Sequence, residues 1–148
     1  MRSVPTGSEE TRAGLLYLDT SAVLRAVLET GTSPQLEERI RGAGVLVSSR
    51  LSLVESCRAF LRLRALGGTS EERLADAERD VTTIWSRCEL WEINRSVCET
   101  ACAVATGRPL RALDAIHLAT FVLARRRLEG LELLTADERL QEAAAGVR

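Results

Sequence analysis

Four short apolar runs, LLYL at 15–18, VLVS at 45–48, ELWEI at 89–93 and LELLT at 131–135, are separated by longer stretches with a helical period. The runs are rich in Leu and Val and lack the polar alternation of a strand with one wet face. Strands of that kind are buried on both sides, so the pattern predicts a parallel sheet with helices against both of its faces. The expected fold class is α/β: three layers, α/β/α, around a central parallel sheet of four or five strands.

Punctuation between the runs places the helices. One is predicted over 21–29 and a short one over 34–41, opened by Ser33 as N-cap and Pro34 at the first helical position. A long helix over 50–66 is closed by Gly67-Gly68. Thr69 and Glu72 form a capping box for a helix reaching Arg87. Further helices are predicted over 96–106, stopped by Gly107 and Pro109, over 113–127, and over 137–145. With no linker or repeat to divide the chain, 14–148 is expected to be a single domain and 1–13 a flexible polar tail.

Composition narrows the functions available. A formal charge of −1 creates no global field for capturing polyanions, which argues against a protein devoted to non-specific nucleic-acid binding. All 20 basic residues are arginine, so any mechanism that needs a lysine is excluded. No apolar run approaches the about 18 residues that span a bilayer, so no membrane association and a cytoplasmic location are expected. Cys57, Cys88, Cys98 and Cys102 lie among apolar neighbours without a CxxC pair and are expected to be reduced core residues.

The acidic residues fall at informative places. Asp19 directly follows the first strand and Asp137 comes just after the fourth, at the strand ends where open α/β sheets bind ligands. Asp114 stands at the entrance of a helix that is apolar nearly all the way round, hence interior. Glu55 shares a helical stripe with Arg58 and Arg62, beside an expected inner face of Leu53, Val54, Cys57, Phe60 and Leu61. Each acid also has a purely local reading. Asp19 and Asp114 can cap helices, Glu55 can pair with Arg58, and Thr135 with Glu138 can form a capping box. Together, four acids from four segments supply the oxygen ligands of a hard cation.

The stretches YLDTSAVLRAVL (17–28), SLVESCRAFLR (52–62), RALDAIHLAT (111–120) and ELLTADERL (132–140) resemble the PIN-domain family, and in particular the VapC toxins of bacterial toxin–antitoxin pairs. The resemblance runs in order over nearly the whole chain. It departs from the pattern at Leu140, where an aromatic is usual, and in its longer polar head. It implies a metal-dependent endoribonuclease whose metal site and catalytic residues are Asp19, Glu55, Asp114 and Asp137. Asp19 and Asp114 would be direct ligands of Mg²⁺, which Mn²⁺ can replace; Glu55 would be a ligand or a water-orienting base; Asp137 would act partly through water. Hydrolysis would leave a 5′-phosphate and a 3′-hydroxyl.

Auxiliary roles are expected for Thr20, Ser21 and Thr135, and phosphate contacts for Arg58, Arg62 and Arg111, with Arg108 and Arg125 to Arg127 as further candidates. His117 is expected to be a packed, hydrogen-bonded core histidine. The resemblance also implies a VapB-like antitoxin, an RNA substrate and a homodimer. Two rivals are a haloacid-dehalogenase-like phosphatase and a catalytically silent PIN-fold interaction module. The first fits poorly, since Ser21 stands where its second acid belongs and no lysine is present.

Overall fold

The computed structural model describes residues 13–29 and 31–147. The tail expected over 1–13 falls, Ala13 excepted, outside the described residues. The elements in chain order are β1 (Leu15–Leu18), α1 (Thr20–Leu28), α2 (Pro34–Gly42), β2 (Val45–Ser49), α3 (Leu51–Leu66), α4 (Glu71–Ser86), β3 (Cys88–Trp91), α5 (Arg95–Ala103), α6 (Ala112–Arg127), β4 (Glu132–Leu134) and α7 (Glu138–Ala145). The sheet is parallel, with strand order β3-β2-β1-β4 and Leu18 aligned with Leu134. The α/β/α expectation therefore holds with four strands among the described residues.

Side chains along β1 point alternately to the two faces, which splits the interior in two. Leu16 and Leu18 join Ala22, Val23 and Ala26 of α1, Ile40 of α2, Phe60 of α3 and Leu74, Val81 and Trp85 of α4. Tyr17 faces the other way, with Val47 and Leu133, against Leu118, Phe121 and Val122 of α6 and Leu140, Ala143 and Ala144 of α7. After running outward from β1 to β2 and β3, the chain returns to place β4 on the other side of β1. That reversal leaves a crevice at the carboxyl ends of β1 and β4.

Several local expectations change. Helix α4 is capped by Ser70, whose side chain accepts from the Arg73 N–H, rather than by Thr69. Helix α7 is capped by Asp137, whose carboxylate accepts from the Arg139 N–H at 2.9 Å, because Thr135 is occupied elsewhere. Gly67, at φ 70°, ends α3 in a conformation that glycine adopts without strain. Cys57, Cys98 and Cys102 are exposed and Cys88 is half-buried, so three of the cysteines are not core residues. They lie on outward faces of α3 and α5.

Helix α3 departs most from expectation. Its inner face is Leu51, Ser52, Ser56 and Phe60, whereas Leu53, Val54, Cys57 and Leu61 are exposed. Buried hydroxyls make this possible, because each finds a partner. Ser48 donates to the Leu18 carbonyl at 2.7 Å and lies 2.8 Å from Ser52, and the Trp85 indole donates to Ser56 at 2.9 Å. Small inward side chains bring α3 close to the sheet, and Glu55 rides in with them.

Candidate active site

Asp19 is the N-cap of α1 by position, but its side chain makes no capping bond. The carboxylate turns instead into the crevice and is almost fully buried. Its Oδ2 accepts from Ser21 Oγ at 2.5 Å and Thr135 Oγ1 at 2.8 Å. Those hydroxyls are themselves oriented, because Ala136 N–H donates to Ser21 at 3.0 Å and Asp137 N–H donates to Thr135 at 3.0 Å. The chain Asp19-Thr20-Ser21 and the loop after β4 thus aim two donors at one oxygen. Oδ1 receives none of these bonds.

Glu55 does not pair with Arg58. Its Oε1 accepts from Thr20 Oγ1 at 2.8 Å and lies 2.5 Å from His117 Nε2, and neither bond involves Oε2. Burial works to raise the Glu55 carboxyl, but the hydrogen bond from His117, the Thr20 hydroxyl and the charge of Arg111 outweigh it. The carboxyl is held below the usual carboxylate range. Asp19, Glu55 and His117 each bring one atom to within 4.8 Å of the others, the only such group of three among the described residues that could hold a metal ion.

The other two acids stand apart from this cluster. Asp114 lies in the first turn of α6, where Arg111 is the N-cap, and its carboxylate takes an ion pair from Arg111 at 3.1 Å. It sits one helical turn before His117, so both project from one face of α6. Asp137 caps α7 and, with Ser21, Arg25 and Arg139, lines a hollow beside the crevice. Among the basic residues, Arg58 and Arg62 are exposed without an ion pair among the described residues, and Arg111 is exposed beside the site. Arg108 pairs with Glu142, while Arg125 and Arg127 lie over the rings of Phe121 and Trp91.

The sequence reading missed the contacts of His117. It is buried and hydrogen-bonded, as expected, but it also touches the acids: Nδ1 is 2.9 Å from Tyr17 Oη, and Nε2 is 3.5 Å from Asp19 Oδ1 besides its contact with Glu55. A signal was available, since Tyr17 and Asp19 are two residues apart and project to one face at the end of a strand.

A buried carboxylate next to a second one is costly without a cation. Each acid here has one oxygen held by donors and one outside those bonds, and oxygen ligands of this kind suit a hard divalent ion. The residues therefore fit Mg²⁺ or Mn²⁺.

Residues 16–146 match the PIN domain family. The chain is similar to Ribonuclease VapC45 of Mycobacterium tuberculosis (strain CDC 1551 / Oshkosh), 33% identical over 137 residues, which cover 90% of this chain and 93% of that one. It is also similar to Ribonuclease VapC35 of Mycobacterium tuberculosis (strain ATCC 25618 / H37Rv), 34% identical over 132 residues, 88% and 90% of the two chains. Among solved structures, PAE2754 from Pyrobaculum aerophilum aligns with a TM-score of 0.60 at 20% identity, covering 98% of this chain and 91% of that one. VapBC2 from Rickettsia felis, bound to a DNA fragment from their promoter, aligns with a TM-score of 0.55 at 14% identity, covering 83% and 99%. Those two likenesses concern the fold. With the matched length, the order of the segments and the identity to the curated relatives all in agreement, this chain belongs to the PIN domain family and, within it, to the VapC type.

Proposed function

We propose that the protein is a Mg²⁺-dependent endoribonuclease, with Mn²⁺ able to substitute, acting in the cytoplasm as the toxin of a type II toxin–antitoxin pair. The observation that carries this reading is the buried Asp19 carboxylate beside Glu55 at the β1/β4 crevice, each with one oxygen outside its hydrogen bonds. Relatives named as VapC ribonucleases support the reaction class. Asp19 and Asp114 are assigned as direct ligands, Glu55 as ligand or water-orienting base, and Asp137 as a partner through water. When bound, the cation supplies Lewis-acid activation of water and of the scissile phosphate.

The protein's own groups do the positioning. Ser21 and Thr135 hold Asp19 Oδ2 and Thr20 holds Glu55 Oε1, which leaves Oδ1 and Oε2 outside those bonds. Arg58, Arg62 and Arg111 are assigned to the phosphates of an RNA strand, an interaction that needs no base readout. A VapB-like antitoxin and a second copy of the chain are the assigned partners. The exposed apolar residues of α3, on the helix that carries Glu55, support a partner that covers the cleft.

Sequencing RNA ends after a pulse of expression tests the reading. New 5′-phosphate ends are expected with the native chain and are expected to vanish with Asp19→Asn and with Asp114→Asn. Identical ends from the native chain and both variants would refute it.

A further inference from the structure

The ring of His117 bridges two things the fold sets side by side. Same-face residues two apart on a strand lie about 7 Å from one another. Tyr17 and Asp19 are such a pair, and α6 lays His117 across the gap. Its Nδ1 meets Tyr17 Oη at 2.9 Å, while Nε2 meets Glu55 Oε1 at 2.5 Å, Asp19 Oδ1 at 3.5 Å and Thr20 Oγ1 at 3.5 Å. Tyr17 and His117 are both almost completely buried.

Donor bookkeeping decides what each nitrogen does. The carboxylates of Asp19 and Glu55 only accept. Thr20 gives its hydroxyl proton to Glu55, so towards Nε2 it too can only accept. All three neighbours of Nε2 are acceptors, which requires a proton on that nitrogen. Nδ1 faces the Tyr17 hydroxyl. With the ring proton on Nε2, Nδ1 carries a lone pair and can only accept, so across the 2.9 Å contact the phenol is the donor.

We propose that Tyr17 and His117 are a positioning pair for the nuclease reaction: Tyr17 donates to Nδ1, fixes the Nε2–H tautomer, and that N–H pins Glu55 Oε1 beside Asp19, so that His117 organises the metal ligands without being one. Although Asp19, Glu55 and His117 together have the spacing of a ligand set, a lone pair on Nε2 is not available while its proton serves the acids. Outer partners of this sort orient ligand carboxylates, and losing one typically costs 10- to 100-fold in metal affinity, by about that order. The positioning role rests on the metal-nuclease reading; the tautomer does not.

The chain contains a single histidine, so its imidazole nitrogens give one unambiguous set of signals in long-range ¹H–¹⁵N spectra. At mildly alkaline pH, the native chain is expected to show a protonated Nε2 and an unprotonated, hydrogen-bonded Nδ1, and saturating Mg²⁺ is expected to leave the Nε2 proton in place. The Nδ1–H tautomer, a doubly protonated ring, or loss of the Nε2 proton on adding Mg²⁺ would each overturn the proposal. Tyr17→Phe keeps the ring and every acid; its Mg²⁺ affinity by calorimetry is expected to fall about tenfold, with a moved Nδ1 resonance. Unchanged affinity would overturn the positioning role even if that variant is folded and otherwise native. If the native chain binds no Mg²⁺, both the pair's role and the nuclease reading fall. If it binds Mg²⁺ with the expected spectra yet cuts no RNA, the nuclease reading and the pair's role in that reaction fall, while the tautomer and its hold on the acids stand.

Discussion

Asp19→Asn should separate stability from metal binding, and the size of the effect follows from the geometry. The nearest acidic atoms of Asp19 and Glu55 lie within 4.8 Å, and at an effective dielectric of about 20 two unit charges at that distance repel by about 3 kcal/mol. Ser21 and Thr135 both donate to Oδ2, so the carbonyl of an asparagine can take that place and keep both bonds. What is lost is charge assistance, about 1 kcal/mol per bond and about 2 kcal/mol for the pair. The balance favours the variant by about 1 kcal/mol without divalent cations, or about 4 °C in Tm for a domain of this size. With Mg²⁺ the order reverses. A native chain at one hundred times its Kd gains about 2.7 kcal/mol, while a variant lacking the charged ligand gains almost nothing. Thermal unfolding of both proteins in EDTA and in Mg²⁺ reads all four values. A variant less stable than the native chain in EDTA, or one that keeps the Mg²⁺-induced rise, would refute the reasoning.

Three further outcomes are expected. The depressed Glu55 carboxyl contributes stability that is present above its unfolded value of about 4.3 and is lost as pH falls through the lower folded value, so Glu55→Gln should flatten the acid limb of the urea midpoint in EDTA; an unchanged limb would remove Glu55 as its source. Ser56→Ala leaves the buried Trp85 N–H without its acceptor and should cost about 1–3 kcal/mol in urea unfolding, whereas a loss under about 0.5 kcal/mol would mean that the indole finds another partner. Val54→Glu with Leu61→Glu, both exposed on α3, should leave the unfolding midpoint within about 0.5 kcal/mol but abolish self-association or antitoxin binding, as read by light scattering and by co-purification with a co-expressed antitoxin; retention of both would remove α3 as a partner surface.

How much was legible in the chain differs by level. The parallel sheet and its helices were readable because burial on both faces leaves continuous apolar runs, and LLYL and VLVS sit in β1 and β2 as expected. The placement of Asp19 was readable too, since a residue directly after a central strand emerges at the strand's carboxyl end. Helix α3 was not. Its apolar residues and its small hydroxylated ones lie on different faces, and periodicity alone favours burying the apolar set. The inward turn of Ser52 and Ser56 depends on acceptors and donors that come from β1, β2 and α4. The capping residues of α4 and α7 shifted for a related reason: Thr135 fits a capping box in sequence, but in space its hydroxyl is drawn to Asp19.

The sequence by itself determined the layers, the order of the elements and which acids stand at strand ends, because these follow from local period and chain direction. Only the tertiary structure decided which groups meet. It joined Glu55 of α3 to Thr20 of α1 and to His117 of α6, and turned Asp19 from a helix cap into a crevice carboxylate held by a hydroxyl from beyond β4. Hydrogen bonds between residues 35 to 116 positions apart leave no local pattern. They exist because the sheet packs α1, α3 and α6 around the end of β1.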